Sequence, residues 1–384
     1  MALICKAICS KPMKRQATTQ KTTRRVTLHD IARKAGVTVG TVSGVLSGKT
    51  KERRISEEAA DRVWKAASEL DYTPNLLVRS LQRGSTHILS FFNGFRSRDR
   101  HDVYMDSLTT GVERAGGRHG YNILVHCDFG VGPDATYQYI NGGHADGLIF
   151  FKPLPADPLL PYLRRSNLPV VLVNSVDDEG VLPSVSDDWR SGIRRIASEL
   201  VQLGHTKIAI LTGRDQPGDA RLRGAYLRTV LLEHGVTVPD KWVLPADAKD
   251  IAECNSTLRF LMNSGETAPT ALFCWHDYLG YVILEECGML GIAVPDDLTV
   301  VGYDGLRWPA RTVHTLASVY VDLDGMGEAA VDMLVKLVDG ELVPTTDRVM
   351  PVAFDPGTTM AKPRTAILGS QKEAANHFVE PSRD

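Results

Sequence analysis

The sequence predicts a small all-α head followed by a large two-lobed α/β body built on parallel sheets. Three observations carry this. Residues 1–84 hold 17 Lys and Arg against 7 Asp and Glu, leaving 27 against 39 for the rest, so a head of +10 precedes a body of −12. Between Val26 and Leu70 the apolar residues recur at helical spacing. From Thr86 onward short apolar runs alternate with helical stretches, as parallel strands joined by crossover helices do. About 280 residues in that style exceed one compact sheet, which is why two lobes are expected.

The head is organised around Val26 to Leu46, VTLHDIARKAGVTVGTVSGVL. Thr27 is a good helix N-cap, and Asp30 can answer it three residues on. Leu28, Ile31, Ala32 and Ala35 then form an apolar face, and Gly36 supplies a tight turn. A second short helix opens near Thr38 and carries Val42, Val45 and Leu46 inward. That leaves Thr38, Val39, Gly40, Thr41, Ser43 and Gly44 outward. A plain helical hairpin shares this pattern. Two short helices joined at a glycine turn, in a basic head, point instead to a helix-turn-helix whose second helix enters a major groove. The hydroxyls of Thr38, Thr41 and Ser43 suit phosphates or bases. A third helix, Ser56 to Leu70, has Ser56 as cap and an apolar stripe of Ala60, Val63, Trp64, Ala67 and Leu70. Asp71-Tyr72-Thr73-Pro74 stops it.

Composition excludes several classes. A hydrophobic content of 43% with 23% charge is that of a globular chain. No apolar run reaches the roughly 18 residues of a membrane span. MALICKAIC is too short and too soon interrupted to read as a signal peptide, and residues 1–25 read as a disordered basic tail in which Met13 offers a second start. The six cysteines are scattered without a CxxC or a Cys/His cluster, so free thiols in a reducing compartment are expected and no metal site.

In the body, strands are expected at Ile88 to Phe92, Asn122 to His126, Gly147 to Phe151, Val170 to Asn174, Lys207 to Thr212, Thr270 to Cys274 and Leu298 to Tyr303. Helices are expected near 104–118, 134–143, 156–166, 188–203, 219–235, 249–264 and 277–290. Ligands of such folds bind near the strand C-termini.

VTLHDIARKAGVTVGTVSGVL closely resembles the head of the LacI/GalR family of bacterial repressors, which begins with a V-T-x-x-D-[IV]-A-x-x-A-G-V-[ST]-x-x-T-V-S run. The body carries further matches: VSDDWRSGIRRIASELVQLGHTKIAILTG, RLRGAY, PTALFCWHD, AVPDDLTVVGYDG and VYVDLDGMGEAAVDMLVKLVDGE. The resemblance covers roughly residues 26–360. It implies a helix-turn-helix domain over 26–74, a hinge over 75–85, a periplasmic-binding-protein-like effector and dimerisation core over 86–364 whose chain crosses between lobes three times, and a flexible tail over 365–384. It also implies that the hinge NLLVRSLQRGS folds on operator DNA, with Asn75 and Arg79 among the DNA-binding residues and Leu81 wedged between base pairs of the minor groove. Val78 departs from the family's alanine.

The family reads bases with two adjacent recognition-helix positions and one further on, here Val39, Gly40 and Gly44. Val39 offers only apolar contact and the glycines offer no side chain, so direct hydrogen-bond readout of bases from these positions is expected to be poor. Phosphate contacts fall to Thr27, Thr38, Thr41, Ser43 and nearby Lys and Arg. In the core, the resemblance places Asp188, Arg221 and Asp304 where the family grips ligand hydroxyls or carboxylates, with His276 in place of the usual Asn. Phe95 and Tyr104 flank a basic loop, NGFRSRDRHDVYMD, that reads either as solvated surface or as a cleft accepting an anion. A donor fork from Arg and paired acceptors from Asp suit a sugar, sugar acid or sugar phosphate.

The expectation is therefore a ligand-responsive transcriptional regulator. It acts as a cytoplasmic homodimer on a palindromic operator, with no cofactor and no membrane partner. No G-x-G-x-x-G after a strand, P-loop, G-x-S-x-G or H-E-x-x-H is present, so no enzyme is expected. The alternatives are a sugar-binding transport protein with a basic extension and a sugar-metabolising enzyme fused to a DNA-binding head. Whether ligand releases DNA or is required for binding stays open, as does dimer against tetramer.

Overall fold

The computed structural model describes residues 26–72, 84–94, 102–126, 132–154, 156–213, 219–341 and 347–364. Phe95, Asn75, Arg79 and Leu81 lie outside these residues. The chain divides into two compact units, Met1–Gly84 and Ser85–Asp384.

In the first unit, α1 (Leu28–Ala35), α2 (Val39–Leu46) and α3 (Glu57–Glu69) surround one small core. Ile31, Ala32, Ala35, Val42, Val45, Val63, Ala66 and Ala67 are buried in it. Helix α1 starts where Thr27 donates its N–H and hydroxyl to the Asp30 carboxylate at 2.9 and 2.7 Å. It ends at Gly36, whose φ of 66° is the left-handed cap glycine adopts without strain. Thr38 caps α2 by accepting the Thr41 N–H at 3.1 Å, and Ser56 caps α3 from Ala59 at 3.3 Å. Two expectations are corrected. Trp64 is 54% exposed, because the inward stripe of α3 is Val63–Ala66–Ala67 and Trp64 lies one residue off it. Gly44, expected outward, is buried.

The second unit holds two six-stranded sheets. The first is built from β1 (Ile88–Asn93), β2 (Asn122–Val125), β3 (Gly147–Phe151), β4 (Val170–Val173), β5 (Ser184–Asp187) and β11 (Arg348–Met350), in the order β11-β5-β4-β3-β1-β2, all parallel. The second is built from β6 (Ile208–Thr212), β7 (Val243–Pro245), β8 (Ala271–Cys274), β9 (Thr299–Asp304), β10 (Ala317–Tyr320) and β12 (Ala353–Asp355), in the order β12-β10-β9-β8-β6-β7. Only β12 runs antiparallel, against β10. The first five helices of this unit are α4 (Val103–Arg118), α5 (Pro133–Ile140), α6 (Leu160–Arg164), α7 (Trp189–Leu203) and α8 (Asp219–Glu233). They are followed by α9 (Ile251–Met262), α10 (Asp277–Leu290) and α11 (Leu323–Val338).

The central strands are continuous apolar runs because helices cover both faces of each sheet: GLIFF of β3 and VVLV of β4 are wholly buried. The chain passes between the lobes after β5, after β10 and after β11. The second passage brings α11 back to the first lobe, where it packs on α4 at close range. A Cβ on Gly111 would lie 1.9 Å from the Asp324 carbonyl oxygen, and one on Gly327 2.4 Å from that of Leu108. Arg114 pairs with Asp324 at 2.8 Å and Arg118 with Glu328 at 3.0 Å along the same seam. The entry to the core is fixed by Asp146, whose carboxylate accepts from the hydroxyls of Ser85 and Thr86 and the N–H groups of Thr86 and His87 at 2.6–2.9 Å. Burial opposes its charge, but those bonds outweigh it and hold the carboxyl below its ordinary value.

Candidate DNA-recognition and effector sites

The outward face of α2 bears no charged side chain. Thr38 and Gly40 are exposed, and Thr41, Ser43 and Val39 are half-buried. Thr38 and Thr41 pair through their hydroxyls at 2.9 Å. Gly44 is covered: a Cβ there would sit 2.7 Å from Ile55 Cδ1 and 3.0 Å from Arg53 Cδ. Cations come from beside the helix, with Lys49, Lys51, Arg53 and Arg54 all exposed in the loop joining α2 to α3.

In the second unit, polar side chains collect where the buried strands end. Lys152 follows β3, Asn174 follows β4, Trp275 and His276 follow β8, and Asp304 ends β9. In both sheets the order in which successive strands are added reverses there, at β1/β3 and β6/β8, which is where a crevice opens in such sheets. Asp304 is 6% exposed and Arg223 3%. Arg223 Nη1 donates to Asp304 Oδ1 at 3.3 Å and to the Trp275 carbonyl at 3.2 Å, and its guanidinium stacks 3.7 Å from the Tyr303 ring centroid. Tyr303 in turn donates to Asp187 of the first lobe at 2.7 Å. Burial raises the Asp304 carboxyl to about 6, against the pull of Arg223 and of Lys152 from the other lobe. Asp304 also holds φ at 115°, a conformation costing on the order of 1–3 kcal/mol for a residue with a side chain.

His276 caps α10: its Nδ1 accepts the Leu279 N–H at 3.0 Å. Burial pushes its imidazole down to about 3, and Arg223 and Lys152 push the same way. The ring is therefore neutral with its proton on Nε2, a fixed donor. Asp277 beside it is wholly buried and accepts from Ser318 Oγ at 2.6 Å and Leu306 N at 2.5 Å; burial, with Asp304 adding, raises its carboxyl well above the ordinary value. Across the cleft, Tyr104 accepts from Asn174 Nδ2, and the Lys152 ammonium stands 5.2 Å over the Tyr104 ring. Asn174 Oδ1 is buried with no hydrogen-bond partner among the described residues.

The structure thus brings Asp304, His276 and Tyr104 of the sequence-derived set to the strand ends. Asp188 caps α7, both its oxygens accepting from Ser191 at 3.1 and 2.6 Å. Arg221 is exposed on α8, two residues and hence roughly half a turn from the buried Arg223. Arg223, Lys152 and Asn174 were missed. Each of the last two directly follows an apolar strand run, a signal that could have found them.

Three short helices built around a glycine turn, ahead of a paired-sheet core with a polar crevice, define a DNA-binding regulator with a ligand-binding core. Residues 27–75 match the family described as bacterial regulatory proteins, lacI family, and residues 197–360 match the periplasmic binding protein-like domain. The chain belongs to the LacI/GalR family of transcription regulators, which bind operator DNA through the helix-turn-helix and answer to small effectors in the core. It is 26% identical over 318 residues to the HTH-type transcriptional repressor PurR of Aliivibrio salmonicida, covering 81% of this chain and 92% of that one. It is also 26% identical over 322 residues to catabolite control protein A of Priestia megaterium, covering 83% and 94%. Its fold is similar to the Lac repressor bound to ONPG in the repressed state, with a TM-score of 0.73 at 24% identity over 88% of this chain and 100% of that one. The complex of the regulator CelR with cellobiose matches at 0.63 and 24%, over the same shares.

Proposed function

We propose that this regulator is a repressor whose effector is a small polyhydroxylated molecule carrying an acid group, a sugar acid or sugar phosphate, bound at the strand ends of the core. The observation that carries this reading is the buried Arg223–Asp304 pair with Lys152 approaching from the other lobe. Arg223 and Lys152 supply donors and positive charge for the acid. Asp304 and the Asn174 carbonyl accept from hydroxyls, and His276 Nε2 donates. Arg221 and Asp188 flank this set, Tyr104 walls it, and a neutral sugar is the competing ligand class. The relatives are transcription regulators, and the chain acts by binding, not catalysis. It works in the cytoplasm, where its operator is. No described helix is long and apolar enough to cross a membrane.

Two copies meet a palindromic operator, one head per half-site. Residues 75–85 serve as hinge, with Asn75 and Arg79 as DNA contacts and Leu81 in the minor groove. Ligand shifts the lobes and, through the hinge, the operator affinity. A thermal-shift screen of neutral sugars, sugar acids and sugar phosphates on the full-length protein tests the reading, because a specific ligand raises the melting temperature. A shift from acids or phosphates that Asp304→Asn removes supports it. A shift from neutral sugars alone refutes the acid group, and no shift from the panel refutes the ligand class.

A further inference from the structure

The recognition helix poses a problem of chemistry. Its sequence, VGTVSGVL, contains no Arg, Lys, Asn or Gln, the side chains whose paired hydrogen bonds distinguish bases in the major groove. Gly40 and Gly44 stand one turn apart on one face; the space at Gly44 is filled from outside the helix, and that at Gly40 is open apart from Thr38 Oγ1 at 3.6 Å. The stem of Arg53 lies against Gly44, its Cδ 3.0 Å from where a Cβ would be, and its Nη1 donates to the Gly40 carbonyl at 3.0 Å. Ile55 closes the other side of Gly44. The loop is held in place by backbone bonds: Lys49 N to Gly44 O at 2.9 Å, Arg53 N to Lys49 O at 3.1 Å and Ile55 N to Thr50 O at 3.0 Å. Arg53 is nevertheless exposed, and among the described residues its guanidinium makes that one hydrogen bond, leaving most of the fork's five N–H donors uncommitted.

We propose that Arg53 is the base-reading side chain of the head: lying along the glycine face of α2, it reads guanine through O6 and N7 in each half-site, in place of the side chains that Gly40 and Gly44 lack. A side chain at Gly44 would expel Arg53 from this path, so the glycine and the arginine work as one unit. The proposal rests on operator binding by the helix-turn-helix, and the test separates the two.

Full-length wild-type, Arg53→Ala, Arg53→Lys and Lys51→Ala proteins are each used to select from duplexes randomised over about two helical turns. The wild type should enrich a two-fold symmetric sequence with a guanine fixed once per half-site. Arg53→Ala and Arg53→Lys should keep the rest of that sequence and lose the guanine preference, with roughly tenfold to hundredfold weaker binding to the wild-type duplex. Arg53→Lys keeps the stem on Gly44 and the charge, so its loss of preference isolates the planar fork. Lys51→Ala should weaken all duplexes alike. Thermal unfolding of each variant reports whether the head is intact, and Arg53→Lys carries the test if the alanine variant fails to fold. An unchanged consensus in well-folded Arg53→Lys protein, with or without uniform weakening, overturns the proposal and makes Arg53 a backbone clamp. A wild-type protein that enriches no sequence overturns operator recognition itself.

Discussion

On the site assignments proposed above, the head and the core meet their ligands by opposite means. On α2 the recognition face is made by leaving side chains out: Gly40 and Gly44 clear a path, and an exposed loop arginine lies along it. At the strand ends of the core the recognition face is made by forcing polar side chains in: Arg223, Asp304 and Asp277 are buried beside one another, and Asp304 holds a strained backbone. A flat polyanion needs reach and tolerates solvent, because phosphate contacts and one good base contact suffice. A small molecule must be enclosed, so its partners are desolvated beforehand and hold each other until it arrives. The core's ligand-free state is therefore electrostatically costly, and the head's is not.

That contrast should appear most strongly in Arg223→Ala. Leaving Asp304 buried without its partner should destabilise the core by about 3–5 kcal/mol, read from denaturant unfolding. Arg221→Ala, two residues away and exposed, should cost less than about 0.5 kcal/mol. Equal effects would mean that the pair is not the strut described. Next come the glycines. Gly305 has φ at 73°, and a Cβ there would meet Tyr320 Cα at 2.5 Å, so Gly305→Ala should cost about 2–5 kcal/mol from strain and overpacking. At Gly44 the neighbours are the ends of two side chains that can move, so Gly44→Ala should cost under about 1 kcal/mol while weakening specific DNA binding.

The pH response is the third contrast. The folded protein holds the Asp304 proton more tightly than the unfolded chain does. The stability this group contributes is therefore complete below about pH 4 and is lost as pH rises through about 6. Ligand hydroxyls need the ionised form, so affinity for the best ligand of the panel should fall about tenfold per pH unit below 6 and level off above it. Asp304→Asn should bind weakly and without that slope. The smallest effect is expected at Trp64: because it is largely exposed, Trp64→Ala should change head stability by less than about 0.5 kcal/mol, whereas buried Val63→Ala should cost more than 1 kcal/mol.

The head was almost wholly legible, since capping residues and apolar spacing are local signals: Thr27, Asp30, Gly36, Thr38 and Ser56 stand where the sequence puts them. What failed there was burial. Gly44 lies on the outward face but is covered by Arg53 and Ile55 of the following loop, which no local signal announces, and an aromatic adjacent to a buried valine drew Trp64 inward. In the core the long apolar strands were legible to within a residue or two. Strands β5, β7, β10, β11 and β12 were not, because they are only three or four residues long, and some owe their pairing to residues far along the chain, as Arg348–Met350 does to Val185–Asp187. The site was legible where a motif names the residue, as for Asp304 in GYDG. It was not where burial decides, since RLR holds two arginines and only packing distinguishes Arg223 from Arg221.

In the proposed function the buried pair at the strand ends governs operator binding through a ligand. This is tested most directly by fluorescence anisotropy of full-length protein on the selected duplex, titrated with the best ligand of the panel, for wild type and Asp304→Asn. Asparagine tolerates a positive φ, so the variant keeps the backbone. Ligand should change wild-type affinity for the duplex by about 5–150-fold, Asp304→Asn should bind the duplex as the ligand-free wild type does, and ligand should leave it unmoved. A well-folded Asp304→Asn protein that responds to ligand as the wild type does would contradict the proposed function.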